Sequence, residues 1–322
     1  MTDLAVEAWR PFDLVQGPLV RIALSSASPG VLLLVVHHLV ADFWSLAVMA
    51  RELGALYRGE TDLPALSLSY GDFTRWQNDR LAGPAGEAGW GFWREALDGV
   101  SDLALTPDRP RPPVQTWAGL ARGAELPADL MDRLRGLGPT LFPTLLAAFQ
   151  AQLGRYASQD DFAVGAPTSG RGAPEWAGVV GYFVNPVALR ADLSGDPSFR
   201  ALLDRTRRTA LAGLEHADFP FVLLAERLRP MRDPARPPLF QAMLAFQQRR
   251  PGDDPGLPAF ALGEDGVRIS LGGLELESVA LAERRAQLEI SLNAAELPSG
   301  GLGLSLELNA DLFDAVTAQR ML

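Results

Sequence analysis

Four prolines fall within the eight residues Thr106-Pro-Asp-Arg-Pro-Arg-Pro-Pro113. Each fixes φ, removes a backbone donor and pushes the residue before it toward extended geometry, so helix is disfavoured throughout the stretch. The 322 residues are therefore expected to divide here, into 1–113 and 114–322, and both parts mix strand and helix patterns. In the first, residues 19–24 and 31–36 read as strands joined by the turn residues 25–30. Leu46, Met49, Leu53 and Leu56 give 43–57 a helical spacing, and a second helix is expected around 88–97. In the second part, helices are expected at 126–137, 144–156, 198–214 and 221–229, with a last one starting near 311. Strands are expected at 162–165, 180–187, 239–247, 267–271, 287–292 and 303–308. No repeat at solenoid periods is visible. The pattern predicts an α/β or α+β chain with mixed sheets.

Composition narrows the chemistry. There is no cysteine, which excludes disulfides, thiolate metal sites and a cysteine nucleophile. There is no lysine either, since all 29 basic residues are arginine, which removes Schiff-base chemistry and a lysine base. A net charge of −10 argues against nucleic acid as a partner. No apolar run approaches the roughly 20 residues needed to cross a bilayer, and no signal peptide is visible, so a cytoplasmic location is expected. Three histidines remain, and two are adjacent, in Val35-Val36-His37-His38-Leu39-Val40-Ala41-Asp42-Phe43. Successive strand residues face opposite sides, so one histidine should pack inward and the other stay free. Asp42 can cap the helix starting at Phe43, or bind a cation that fixes the loop. An imidazole beside a rigid turn suits general-base work. The bland readings are a packed core histidine and a plain N-cap. Zinc is not expected, because the pair lacks a third ligand, and no Gly-x-Ser-x-Gly accompanies the histidines.

His37-His38-x-x-x-Asp42 resembles the HHxxxDG signature of condensation domains of nonribosomal peptide synthetases, within the chloramphenicol acetyltransferase-like superfamily. Further motifs follow in the family's order. Tyr70-Gly-Asp-Phe-Thr-Arg-Trp76 is similar to YxDFAxW, and Asp161-Phe-Ala-Val-Gly-Ala-Pro-Thr-Ser-Gly-Arg171 to DxxVGxPxxGR. Gly181-Tyr-Phe-Val-Asn185 matches GxFVN, His216-Ala-Asp-Phe-Pro-Phe221 matches HxDxPF, and Arg232-Asp-Pro-Ala-Arg-Pro-Pro-Leu-Phe-Gln241 resembles RDxSRxPLFQ. Asp311-Leu-Phe-Asp314 resembles the closing motif.

The resemblance implies two chloramphenicol acetyltransferase-like lobes in a V-shaped pseudodimer with a tunnel between them. Residues 1–113 would be the first lobe and 114–322 the second. It implies amide formation between an acyl or peptidyl thioester and an aminoacyl amine. Both arrive on phosphopantetheine arms of donor and acceptor carrier proteins, beside adenylation or other synthetase domains, with no directly bound cofactor and no metal. His38 would be the catalytic base or the group that positions the amine, and His37 would pack behind it. Asp42 would be structural, with Arg236 as its partner, while Phe43 and Asn185 would line the tunnel. Competing readings are an ester-forming HHxxxD acyltransferase, an epimerisation domain, or a non-catalytic remnant that only docks carriers.

Three departures from the family pattern stand out. Phe43 replaces the motif glycine, Pro186 replaces the usual threonine after Asn185, and an RHxxLRT-type opening is missing before Phe12. The last predicts an N-terminally truncated domain with an incomplete first lobe, an uncovered sheet edge, and an isolated chain that is inactive. Away from these motifs, His216, Trp76, Trp90 and Trp93 read as packing residues, and the arginines at 205–208 as a solvated helix face.

Overall fold

In the computed structural model, residues 2–25, 30–229, 231, 233–248, 253–281 and 284–322 are described. The first part holds α1 (Thr2–Trp9), β1 (Val20–Leu24), β2 (Leu32–Val36), α2 (Phe43–Tyr57), α3 (Tyr70–Ala82) and α4 (Pro84–Ala96). The second holds β3 (Ala118–Leu126), α5 (Ala128–Arg135), α6 (Phe142–Ala157), β4 (Asp161–Thr168), β5 (Asn185–Asp192), α7 (Phe199–Glu215), α8 (Phe221–Leu228) and β6 (Ala242–Gln247). It continues with α9 (Leu257–Phe260), β7 (Arg268–Leu271), β8 (Leu274–Glu277), β9 (Arg284–Arg285), β10 (Ile290–Glu296), β11 (Leu302–Asn309) and α10 (Ala315–Met321). The mixed α/β class predicted from the pattern is the class observed.

Seven strands form one mixed sheet in the order β5-β4-β6-β10-β11-β3-β9, with β6 parallel to both β4 and β10 and the other pairs antiparallel. Strand β4 is buried over five successive residues, as a strand covered on both faces should be. Its Phe162 and Val164 pack with Leu189 of β5, Leu244 of β6, and Leu146, Phe149 and Leu153 of α6. Trp93, Leu97, Val100, Leu103 and Leu105 join the same core, although all five precede the proline-rich connector. The connector is itself stitched to the sheet. The backbone N–H groups of Asp108 and Arg109 donate to the Leu312 carbonyl, and the Arg111 guanidinium grips the buried Glu289 carboxylate through two bonds of 2.7 and 2.9 Å.

Several expected elements shift their bounds, and two of the differences show why. The helix expected at 126–137 is shorter, because 118–126 runs as β3 along the whole length of β11. The strand expected at 180–187 starts at Asn185 and continues to Asp192, paired with β4 throughout. In both places a cross-strand partner decides, and local sequence does not contain it. Pro186 falls on β5, an edge strand, where a missing donor is tolerated.

The β1–β2 hairpin is a separate two-stranded sheet. One face is covered: Arg21 pairs with Glu7 of α1 and lies 3.8 Å from the Phe12 ring centroid. The other face leaves Val20, Ile22, Leu24, Leu32 and Leu34 exposed. Of the turn expected at 25–30, residues 26–29 lie outside the described residues. A two-stranded sheet with one bare face opens readily. Amide exchange should therefore be faster across β1 and β2 than across β4 and β5; equal protection would contradict this.

Candidate active site

Strand β2 ends at Val36, and the His37 carbonyl then accepts from the Val40 N–H to close a turn. The two histidines part company at this turn. His37 packs inward, its ring edge-to-face with Phe12 at 5.5 Å and its Nδ1 accepting from the Leu39 N–H. His38 is exposed to the other side. Its Nδ1 lies 2.7 Å from the Ala41 carbonyl oxygen, which can only accept, so Nδ1 carries the proton. In the neutral ring Nε2 is then left with its lone pair free. The His38 ring also meets Tyr182 edge-to-face at 4.9 Å.

Asp42 caps α2 and anchors the site to the second part of the chain. Its Oδ1 accepts from the Ser45 N–H at 2.7 Å and lies 2.8 Å from the Ser45 hydroxyl, while Oδ2 accepts from the Phe183 N–H at 3.0 Å. Its ion-pair partner is Arg171, at 3.1 Å, with both side chains almost wholly buried. This corrects the expectation of Arg236. Arg236 sits 4.0 Å from Asp233 inside its own turn, and that turn packs against the connector, where the Pro234 carbonyl accepts from the Gln115 N–H. Arg232, at the head of the same motif, lies outside the described residues.

Arg171 is fully engaged on its terminal nitrogens. Nη1 donates to the Trp176 and Val179 carbonyls, Nη2 to Asp42 and to the Ser45 hydroxyl, and the guanidinium lies 4.0 Å from the Phe183 ring centroid. The preceding Gly170 has φ +63°, and a Cβ there would fall 1.8 Å from the Phe183 carbonyl oxygen, so only glycine lets the chain turn Arg171 inward. Ser45 completes the link, accepting from the Gly181 N–H at 3.0 Å with the Gly181 carbonyl at 2.8 Å. Thus α2, which begins just after His38, is fastened to the 181–183 segment. Sequence reasoning passed over Arg171, Ser45 and Tyr182. The available signal was the Gly170-Arg171 end of a matched motif.

Phe43 is the first residue of α2, with its ring edge-to-face on Trp44. Its φ is not positive, so a side chain replaces the motif glycine without backbone strain. Asn185 spends its side chain locally. Nδ2 donates to the Ala217 and Phe219 carbonyls, and Oδ1 accepts from the Phe221 N–H at the start of α8. His216 ends α7 and stacks on Phe92. Among the described residues, no cluster of three His, Asp or Glu side chains could hold a metal, and no helix is long and apolar enough to cross a membrane.

Two phenols border the network. Tyr70 donates its hydroxyl to the Tyr182 carbonyl at 2.7 Å. Burial chiefly pushes both the Tyr70 and Tyr182 hydroxyls above the ordinary phenol value, followed for Tyr182 by the Asp42 carboxylate and for Tyr70 by Tyr182 and then Asp42. The unfolded chain ionises these phenols first, near pH ~10. Their contribution to stability is therefore complete below that pH and is lost as pH rises through the folded values. An alkaline absorbance titration should show two of the four tyrosines ionising late, and the late phase should vanish in denaturant. A single ordinary transition would contradict the packing described.

A family model for the condensation domain matches residues 2–322. A linear gramicidin synthase of Brevibacillus parabrevis is 41% identical over 332 residues, covering 99% of this chain and 4% of that protein. Phosphinothricin tripeptide synthetase PhsB of Streptomyces viridochromogenes is 42% identical over 276 residues, covering 81% of this chain and 23% of that protein. The chain thus spans a small part of the length of these relatives. Among solved structures, a four-domain nonribosomal peptide synthetase bound to AMP and glycine superposes with a TM-score of 0.85 at 25% identity, over 97% of this chain and 24% of that one. The X-domain from teicoplanin biosynthesis shares the fold, with a TM-score of 0.84 at 24% identity over 99% of this chain and 73% of that one.

Proposed function

The chain belongs to the condensation-domain family of nonribosomal peptide assembly lines, and from that premise we propose that it joins a carrier-bound acyl or peptidyl thioester to a carrier-bound aminoacyl amine. The observation that supports this best is the His38 ring, with Nδ1–H committed to the Ala41 carbonyl and Nε2 left as a base. In the reaction the amine nitrogen attacks the thioester carbonyl carbon, a C–N bond forms and the carbonyl oxygen becomes an oxyanion. His38 Nε2 takes the proton the nitrogen must lose. The C–S bond then breaks, and that proton goes to the departing thiolate of the donor arm. Amide and free thiol result, with no oxidant or external acid consumed.

Asp42 does not exchange protons in this scheme. The donors gathered on its carboxylate hold it as a buried anchor. Phosphopantetheine enters only as the arm of each substrate, supplied by donor and acceptor carrier domains of an assembly line with its adenylation domains, in the compartment where those partners work. Ester formation needs the same base, so the acceptor distinguishes the two. Single-turnover mixtures of acyl-loaded donor carrier with either an aminoacyl-loaded or a hydroxyacyl-loaded acceptor carrier should give the amide faster, read by intact mass of the acceptor. A faster hydroxyacyl reaction would replace the amide reading with the ester one.

A further inference from the structure

Tyr182 occupies the variable position of Gly181-Tyr-Phe-Val-Asn185 and is claimed by no role so far. We propose that Tyr182 is a positioning residue for His38, its ring buttressing the imidazole in the one orientation that presents Nε2 to the reacting groups. The proposal rests on the functional reading above and deepens it.

His38 has few constraints of its own. It lies in a turn, its side chain is exposed, and among the described residues a single hydrogen bond, to Ala41, ties its ring. One bond at one nitrogen leaves the ring free to swing about that contact, or to lose it to water. The edge-to-face contact with Tyr182 at 4.9 Å is the second restraint, and two restraints fix a plane. A buttress must itself be rigid, and this one is. Gly181 is bonded through both its N–H and its carbonyl to Ser45, the Tyr182 carbonyl accepts from the Tyr70 hydroxyl, and the Phe183 N–H is held by Asp42. Three consecutive residues are therefore pinned by the buried ion-pair network, and the ring in the middle is the part that emerges, at 37% exposure. The Tyr182 hydroxyl bonds to none of the described residues, so the ring is what touches His38 and the hydroxyl is dispensable. The network thus reaches His38 by two routes: the helix cap at Asp42 on one side, and Tyr182 on the other.

The test uses the full chain with Tyr182→Leu and Tyr182→Phe. The protein has only three histidines, so each ring can be assigned in the NMR spectrum by single substitution. In Tyr182→Leu the His38 ring signals should lose their aromatic ring-current shift, and its nitrogens should move toward a mixture of tautomers. Single-turnover kcat should fall by about 10–100-fold with KM little changed, since misplacing a reacting group acts on the chemical step. The denaturation midpoint should hold, because the backbone bonds at 181–183 remain. Tyr182→Phe should restore both spectrum and rate. His38 nitrogens that keep a single tautomer in Tyr182→Leu would overturn the proposal, as would an active wild type whose rate is unaffected by that change. So would a Tyr182→Phe variant as slow as Tyr182→Leu. The spectrum requires no turnover: a chain that makes no amide but whose His38 nitrogens still move toward a mixture of tautomers in Tyr182→Leu refutes the functional reading and leaves the positioning role standing.

Discussion

Replacing Arg171 with methionine is expected to destabilise the chain by about 3–5 kcal/mol, the usual result of removing one partner from a buried ion pair. Asp42 would then be a carboxylate out of water with no cation beside it, keeping only the N–H groups of Ser45 and Phe183 and the Ser45 hydroxyl. The Val179 carbonyl would lose its Arg171 donor as well, and the Trp176 carbonyl would keep only the Val179 N–H. Against a total of roughly 5–15 kcal/mol for a folded domain, a loss of this size leaves little margin. Asp42→Asn should also destabilise, because it strands the Arg171 charge while keeping an amide at the cap. The double variant should cost less than the sum of the two, since each single change leaves a charge that the other removes. Urea unfolding of the four proteins measures this. Strict additivity would show that the two residues do not form the working pair.

His38→Ala is expected to slow transfer by about 10²–10⁴-fold, the range for removing a general base. Its stability should barely change, because the ring is exposed and its hydrogen bond to Ala41 is made at a turn. His37→Ala should do the reverse, weakening the packing against Phe12 while leaving the chemistry in place. A His37 variant slower than the His38 variant at equal folding would mean that the two roles had been exchanged.

What could be read from sequence depended on how local each cause was. Helix α2 was legible at both ends, because an Asp cap precedes it and apolar residues recur at helical spacing within it. That one histidine packs and the other stays exposed was also legible, with only the family resemblance saying which, although the means is a turn after Val36 and not continued strand alternation. Arg171 was not legible as the partner of Asp42. The two are 129 positions apart, and both Arg171 and Arg236 stood inside matched motifs. Only the fold chooses between them, through the left-handed turn at Gly170 and the space beside Phe183. Strand β3, Ala118–Leu126, escaped notice for a related reason: its Ala- and Gly-rich stretch has little strand character of its own and is fixed by pairing with β11. Tyr182 sits where the motif allows any residue, so its contact with His38 has no sequence signature.

The most direct measurement follows the acyl group itself. Donor carrier loaded with an isotopically labelled acyl thioester is mixed with aminoacyl-loaded acceptor carrier, with the wild-type chain, with His38→Ala, or with no protein. The label is then located by intact mass. The expected result is label on the acceptor as an amide and a free thiol on the donor, fast with the wild-type chain and near the unassisted rate in the other two mixtures. Label released as free acid, or transfer equally fast with His38→Ala, would contradict amide formation directed by His38.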